Sequence, residues 1–200
     1  HKKLWEEAEQ YKTYRETAKG QQKKVMLVDV DQLCDQFAYG IFKHPMAIRN
    51  FLSYLLAKVD TPEHVFLLGK SVDVNSARYN PSDFSENLVQ SYGGGGPSDI
   101  MLAPRGKGAF DPAIAVGRLA ARNGQDVLKY LNKVKQYESA EAAPWMKEIL
   151  HVAGGTTQSE GNGFYNILNQ FKLIAEDTLF GGNVTTYKKN SDDVIQNTPY

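Results

Sequence analysis

The sequence has little of several features that would identify a function directly. Cysteine occurs once, at Cys34, so the chain has no internal disulfide framework. Lysine plus arginine and aspartate plus glutamate are equal, at 23 each, which leaves no excess charge to attract nucleic acid or an anionic membrane. No apolar run approaches the roughly 20 residues that span a bilayer, and residues 1–10 lack the apolar centre of a signal peptide. Because the sequence opens inside a helical pattern, we expect it to be a piece of a longer protein.

Nucleotide-binding patterns are also absent. The first apolar run is followed by Asp29-Val30-Asp31-Gln32, without the G-x-G-x-x-G that lets a pyrophosphate approach the backbone. Four consecutive glycines at 93–96 look like a phosphate cradle, but no Gly-Lys-Ser/Thr follows and no helix start is near. We interpret them as a flexible turn. A phospho-acceptor receiver domain is disfavoured, because about forty residues stand where that fold has a short connection.

Apolar periodicity predicts an α/β fold. The spacing of Leu4, Ala8, Tyr11 and Arg15 predicts a leading helix within residues 1–22, and an α/β core occupies 23–200. Short continuous apolar runs predict five mostly parallel strands, at residues 24–30, 65–68, 113–117, 149–153 and 184–187. One-faced apolar patterns predict the helices between them, at about 45–58, 123–138 and 164–174.

Residues 111–138 form the clearest unit, a buried strand followed by an amphipathic helix. Asn123 is the expected N-cap, and Asp126 places negative charge where the helix dipole favours it. The following helix carries Val127, Leu131 and Val134 on one face. A strand–helix unit of this kind predicts a parallel sheet.

Open parallel sheets bind ligands beyond the carboxyl ends of their strands. The segments in that position are residues 29–35, 69–73, 117–118 and 154–157. Residues 70–112 are too long for an ordinary connection, so we expect a functional lip or short extra strands there.

The histidines and Cys34 give no catalytic pair. No two histidines have the helical spacing of a zinc site, and we interpret all four as structural: His1, His44, His64 and His151. Cys34 lies between Leu33 and Asp35 on a predicted short helix, where a neighbouring carboxylate opposes a thiolate. We interpret it as a buried, inert thiol.

Several blocks of sequence follow one another along the chain. One block is Gly117-Arg118-Leu119 with the helix that closes on Lys135-Gln136-Tyr137-Glu138, and the remaining blocks lie at residues 28–31, 35–40, 45–52, 65–69, 92–99 and 145–155. In this order they resemble the gingipain-like cysteine peptidases, peptidase family C25. Within that family the closest resemblance is to the sortase-like peptidase of the type IX secretion system. At the second strand the family usually has Gly-Asp, whereas this chain has Gly69-Lys70.

The resemblance implies the amino-terminal part of a caspase-like, three-layer αβα domain with a mostly parallel sheet, here truncated. It implies a secreted or cell-surface cysteine endopeptidase, acting on protein or peptide substrates through a thiolate and a histidine. Both catalytic residues would lie beyond Tyr200, on a carboxy-terminal subdomain, so we expect residues 1–200 alone to be inactive.

Further implications of the resemblance concern individual residues. The family's supporting acid corresponds to Thr156, with Glu160 the nearest carboxylate. Family members bind calcium in this half, which makes Asp73 and Asp99 candidate ligands of a structural ion; no other cofactor is expected. Secretion-system components are expected partners. A non-catalytic relative serving as a binding or assembly module in protein export is the alternative, favoured by Lys70 and Thr156.

Overall fold

A computed structural model describes residues 1–58, 62–93, 98–105 and 111–189. The chain divides into two compact units, residues 1–139 and 140–200, and each contains a two-stranded parallel sheet. None of the described helices is both long enough and apolar enough to cross a membrane. Most of the predicted glycine turn, residues 94–97, lies outside the described residues.

The first unit contains two strands and six α-helices within its described residues. In chain order they are α1 (Trp5–Glu16), α2 (Val30–Phe37), α3 (Met46–Lys58), β1 (His64–Leu68), α4 (Val74–Tyr79), α5 (Pro81–Glu86), β2 (Ala115–Leu119) and α6 (Gly124–Glu138). The predicted helices at 1–22, 45–58 and 123–138 are confirmed. The Asn123 side chain caps α6 by accepting a hydrogen bond from the Asp126 amide at 3.2 Å, as predicted.

The second unit contains β3 (Glu148–Ala153), α7 (Gln158–Ala175) and β4 (Asn183–Lys188). Both predicted strands and the helix between them are confirmed. The strands pair in parallel, with Ile149 opposite Val184 and Ala153 opposite Lys188. The parallel pairing that the apolar runs predicted is therefore present in both units.

The predicted strand at residues 24–30 is wrong. Residues 24–29 form no regular structure, and Val30 begins α2 instead. The Asp29 carboxylate accepts a hydrogen bond from the Asp31 amide at 3.1 Å, which caps the helix. Val30, Leu33 and Cys34 then share one buried face, so the end of the apolar run is the start of a helical stripe.

Short extra strands were one expectation for residues 70–112. The structure instead has the short helices α4 and α5 and a 3₁₀ turn, Ile100–Leu102, in this insertion. Among the described residues of this insertion, β structure is limited to two isolated bridges, Tyr92 with Ser98 and Arg105 with Pro112. The expectation of extra strands there is not met.

Helix α1 packs on α6 and β1. Arg15 donates to Glu138 at 2.6 Å, and the Tyr14 hydroxyl donates to the other oxygen of that carboxylate at 2.8 Å. The Tyr11 ring lies 5.3 Å from that of Phe66 in β1 and 6.1 Å from that of Tyr130 in α6, measured between centroids. These contacts make the leading helix an integral part of the first unit.

Strand β2 begins two residues later than predicted, at Ala115 rather than 113, so Arg118 lies inside the strand. Leu68 pairs with Leu119, and the ladder continues past β1 through two further bonds. The Gly69 amide donates to Leu119 at 2.9 Å, and the Lys70 amide donates to Ala121 at 2.8 Å. This extension fixes the start of the insertion at the carboxyl end of the sheet.

Candidate functional site

Arg118 is the centre of a polar cluster at the carboxyl end of the β1–β2 sheet. Its side chain is only 12% exposed. The guanidinium contacts Asp99 in a two-pronged ion pair, with Nε 2.7 Å from Oδ2 and Nη2 2.7 Å from Oδ1. This planar geometry is specific to arginine, because lysine cannot donate two parallel hydrogen bonds to one carboxylate.

The same guanidinium also binds two backbone carbonyls. Nη1 donates to the oxygens of Gly69 and Val89, both at 2.7 Å, and Nη2 donates to the Ser91 hydroxyl at 3.3 Å. With the two bonds to Asp99, all five guanidinium N–H groups have an acceptor. Arg118 therefore joins the end of β1 to three separate points of the insertion.

Ser91 and Ser71 extend this network. The Ser91 hydroxyl donates to Asp99 Oδ1 at 2.7 Å, and its amide donates to the Ser71 hydroxyl at 3.0 Å. Burial raises the pKa of Asp99, but the hydrogen bonds from Arg118 and Ser91 outweigh burial and hold that pKa below its usual value. Asp99 is thus ionised at neutral pH and its charge is balanced by Arg118. The cluster has no uncommitted acid or base, and its chemistry is that of a fixed support.

Gly69 is required by this geometry. Its φ of +144° lies in a region that side chains rarely adopt, and a β-carbon there would lie 2.9 Å from Val89 Cγ2 and 3.1 Å from Leu88 Cβ. The close approach allows the amides of Leu88 and Val89 to donate to the Lys70 carbonyl, at 2.9 and 3.2 Å. The insertion is held against the sheet end by its backbone as well as by Arg118.

Lys70 forms an ion pair with Glu86 at the end of α5. The hydrogen bond from Lys70 lowers the pKa of Glu86. This ion pair ties α5 to the segment that leaves β1.

Thr156 and Glu160, the candidate supporting position, contact each other. Glu160 Oε2 accepts the amide and the hydroxyl of Thr156, both at 2.7 Å, while the Glu160 amide donates to the Thr157 hydroxyl at 3.2 Å. This arrangement caps the start of α7. The backbone hydrogen bond from Thr156 is the main cause of the lowered pKa of Glu160. A role for either residue beside a catalytic histidine stays a prediction.

The two candidate calcium ligands are engaged elsewhere. Asp73 caps α4 by accepting the amides of Asn75 and Ser76, at 2.9 and 3.3 Å, and both oxygens of Asp99 face Arg118. Across the described ranges, no three His, Cys, Asp or Glu residues form a group that could hold a metal ion. Because a guanidinium occupies the Asp99 carboxylate, the two aspartates as arranged do not fit a calcium ion. Calcium binding by this chain stays a prediction.

Cys34 is buried, as predicted, with 2% of its surface exposed. Its sulfur accepts a 3.7 Å hydrogen bond from Gln90 Nε2, and the hydrogen bonds of the described residues give it no histidine partner. His151 lies in β3, and its buried Nδ1 has no hydrogen-bond partner among the described residues. The Cys34 thiol therefore has neither the exposure nor the adjacent base of a catalytic nucleophile.

Sequence reasoning identified the segments of this site but missed its centre. Gly117-Arg118 was among the segments predicted to lie at a strand end, and Asp99 was singled out as a ligand. One feature of the sequence could have indicated the ion pair. Arg118 is a charged residue within an apolar run, and a buried arginine requires a carboxylate partner.

Comparison with known families matches residues 1–198 to the model of peptidase family C25. No curated protein and no solved structure matches the chain. The helices and parallel strands agree with the caspase-like α/β fold of that family. The family match also indicates that the substrates are proteins. Since the match extends over nearly the whole sequence, the chain belongs to peptidase family C25, whose members are cysteine peptidases.

Proposed function

We propose that this chain is the scaffold part of a secreted or cell-surface cysteine endopeptidase, and that the catalytic cysteine and histidine come from outside residues 1–200. The burial of Cys34 beside Gln90 carries this proposal. A thiol that is 2% exposed cannot reach a peptide carbonyl unless the first unit opens. Membership in family C25 supports the reaction class.

The proposed reaction is acyl transfer. A thiolate attacks the scissile carbonyl, backbone amides hold the resulting oxyanion, and an imidazolium protonates the departing amine. Water or a second amine then resolves the acyl-enzyme. Resolution by an amine describes a sortase-like processor of type IX secretion cargo, which is the specific role we propose from the sequence resemblance. Secretion-system components would then be its partners.

In that reaction, the residues of this chain have a positioning role. Active sites of open α/β folds lie beyond the carboxyl ends of their strands. Arg118, Asp99 and Gly69 hold the chain segments at that end of the β1–β2 sheet in one arrangement. The proposed role of the cluster is to present a rigid rim to the catalytic subdomain.

The second candidate is a non-catalytic relative that acts as a binding or assembly module. It is favoured by the environment of Glu160, whose carboxylate is committed to Thr156 at the start of α7. Lys70, in its ion pair with Glu86, is a second departure from the family pattern.

A thiol-directed peptidyl probe distinguishes these candidates. We expect the folded 200-residue chain to form no adduct with a peptidyl acyloxymethyl ketone, because Cys34 is enclosed, and to react with a small alkylating agent only after denaturation. Mass spectrometry of the intact protein measures both, with Cys34→Ser as the control. The natural full-length protein is expected to be labelled on another cysteine. A probe adduct on native Cys34 would contradict the proposal, and an unlabelled full-length protein would favour the non-catalytic candidate.

A further inference from the structure

Residues 73–86, which contain α4 and α5, follow the carboxyl end of β1 and are weakly packed. Ala77 is the single buried residue among them, whereas the next four residues, 87–90, are all buried. Tyr79 is 83% exposed and Phe84 is 42% exposed. Segments with few buried apolar contacts open locally at a small cost in free energy, and the lids of binding sites are drawn from such segments.

The two ends of this segment are held together. The buried Asn87 side chain accepts a hydrogen bond from the Val72 amide at 3.3 Å. Next to it, the Leu88 amide donates to the Lys70 carbonyl at 2.9 Å. Compact surface loops whose ends lie close together are frequently functional. The joined ends define a hinge about which residues 73–86 can move as a unit.

Hydrogen bonds within the segment join its two helices. Asp83 Oδ2 in α5 accepts the Ser76 hydroxyl of α4 at 2.6 Å and the Asn80 side-chain amide at 3.2 Å. Helix α4 begins at its own cap, because the Asp73 carboxylate accepts the Asn75 amide at 2.9 Å. These bonds lie inside residues 73–86, so a movement of the whole segment does not break them.

One contact that holds the segment against the rest of the first unit is the ion pair between Lys70 and Glu86. Lys70 lies in the chain that leaves β1, and Glu86 is the last residue of α5. The two side chains are 25% and 53% exposed. Exposed ion pairs contribute little because water and salt screen them, so this contact breaks easily.

A second contact comes from Lys43, in the loop between α2 and α3. Its ammonium donates to the Phe84 carbonyl in the last turn of α5 and lies 4.2 Å from the centre of the Phe84 ring. The Phe42 ring lies 6.1 Å from the same ring. The loop is fixed to α2, since the Gly40 amide donates to the carbonyl of buried Cys34 at 3.0 Å. Lys43 has a φ of +56°, and unfavourable backbone of this kind is concentrated at clamps and switch regions.

We propose that residues 73–86 are a hinged lid, closed in this structure by the two lysine contacts and able to open about its joined ends. Opening separates Lys43 from Phe84 and Lys70 from Glu86. It leaves the hydrogen bonds that join the ends in place, because those bonds lie outside residues 73–86.

The lid is placed at the edge of the sheet where open α/β folds bind their ligands. The Arg118 cluster stays intact when the lid opens, because Arg118 binds the carbonyls of Gly69 and Val89, which lie on the fixed side of the hinge. Opening uncovers the parts of Phe42 and Lys43 that contact the closed lid. Lids of this kind admit a substrate and then enclose it. Admission of a polypeptide substrate is the use that we assign to the lid, and this use rests on the proposed function.

Amide hydrogen exchange, read by mass spectrometry of peptic peptides, tests the lid in the 200-residue chain. Amides of residues 74–86 are expected to exchange at least roughly tenfold faster than those of α6, because the lid opens without unfolding of the first unit. Helices of six residues are marginal on their own, so the open lid does not protect its amides. Equal protection of residues 74–86 and α6 would overturn the proposal, because the lid would then open only when the whole unit unfolds.

Variants of the two closing contacts test what holds the lid shut. Lys43→Met and Lys70→Met are each expected to speed exchange in residues 74–86 by about threefold and to leave α6 unchanged. Lys133→Met is the matched control, because Lys133 is exposed on α6, away from the lid, and it should change neither region. Glu86→Gln repeats the Lys70 test if Lys70→Met fails to fold by circular dichroism. Closing-contact variants that leave exchange in residues 74–86 unchanged, or that speed it equally in α6, would overturn the proposal.

Limited digestion with trypsin gives an independent readout. Arg78 is exposed in α4, and cleavage after it requires α4 to unwind. We expect the first cleavage after Arg78 to be about threefold faster in Lys43→Met than in Lys133→Met, each of which lacks one lysine; equal rates would contradict the role of Lys43. Neither measurement depends on catalysis by this chain. A failure of the proposed peptidase function is therefore distinguishable from a failure of the lid.

Discussion

Replacing Arg118 with methionine is expected to lower the free energy of unfolding of the first unit by about 3 kcal/mol. The change leaves the ionised Asp99 without its cation and deprives the Gly69 and Val89 carbonyls of their donors. Loss of one partner of a buried pair costs more than the pair itself contributes, because the remaining charge stays desolvated. Breaking a buried pair typically costs roughly 3–5 kcal/mol. The Arg118 and Asp99 side chains are 12% and 26% exposed, so we expect a cost near the lower end of that range.

Denaturant unfolding measures this effect in one unit at a time. The two tryptophans lie in different units, Trp5 in the first and Trp145 in the second, so fluorescence in a Trp145→Phe background reports on the first unit. Arg122→Met is the matched control: Arg122 is exposed, so this variant should change stability by less than about 0.5 kcal/mol. Equal effects of the two variants would contradict the structural role of Arg118.

The contribution of Asp99 to this stability depends on pH in a defined direction. Its pKa is lower in the folded chain than in the unfolded one. Its stabilisation is therefore fully present above the unfolded value, about 3.9, and is lost as pH falls through the folded value. The difference between wild type and Arg118→Met should accordingly shrink in strong acid, once Asp99 is protonated in both proteins.

Gly69→Ala is expected to destabilise the first unit by about 3 kcal/mol. The new β-carbon combines an unfavourable φ of +144° with contacts at 2.9 and 3.1 Å to Val89 and Leu88, both of which are buried. Relief of those contacts requires the insertion to move away from the sheet end.

Gly40→Ala is the matched control for Gly69→Ala. Gly40 also has a positive φ, +73°, but a β-carbon there would meet no atom of the described residues within 4 Å. Only the backbone preference is lost, which costs about 1 kcal/mol. The same Trp5 fluorescence assay compares the two, and a Gly69→Ala variant no less stable than Gly40→Ala would show that the close approach is unnecessary.

The helices and several strands could be predicted because their signals are local. Helix α6 combines the cap Asn123 with a regular buried face that includes Val127 and Leu131. The strands at 148–153 and 183–188 are short apolar or β-branched runs. The first differs from its predicted bounds by one residue at its start, and the second by one residue at each end. In these elements propensity, periodicity and capping agree.

The errors arose where tertiary contacts decide. At residues 24–30 the apolar run suited a strand, but its last residue, Val30, begins a helix whose apolar face is buried in one cluster with residues of α3. The ion pair between Asp99 and Arg118 joins residues 19 apart through the fold, and no spacing rule predicts it. The same pair holds Asp99 in an environment that its residue type alone does not indicate.

Peptide hydrolysis by the purified 200-residue chain tests the central claim most directly, because the proposal assigns the nucleophile to another part of the protein. A mixed fluorogenic peptide library under reducing conditions is the substrate, and Cys34→Ser is the control. We predict no thiol-dependent cleavage, with wild type and Cys34→Ser indistinguishable, since the buried Cys34 has Gln90 rather than a histidine as its neighbour. Cleavage that requires reductant and disappears in Cys34→Ser would contradict the account and make Cys34 the nucleophile.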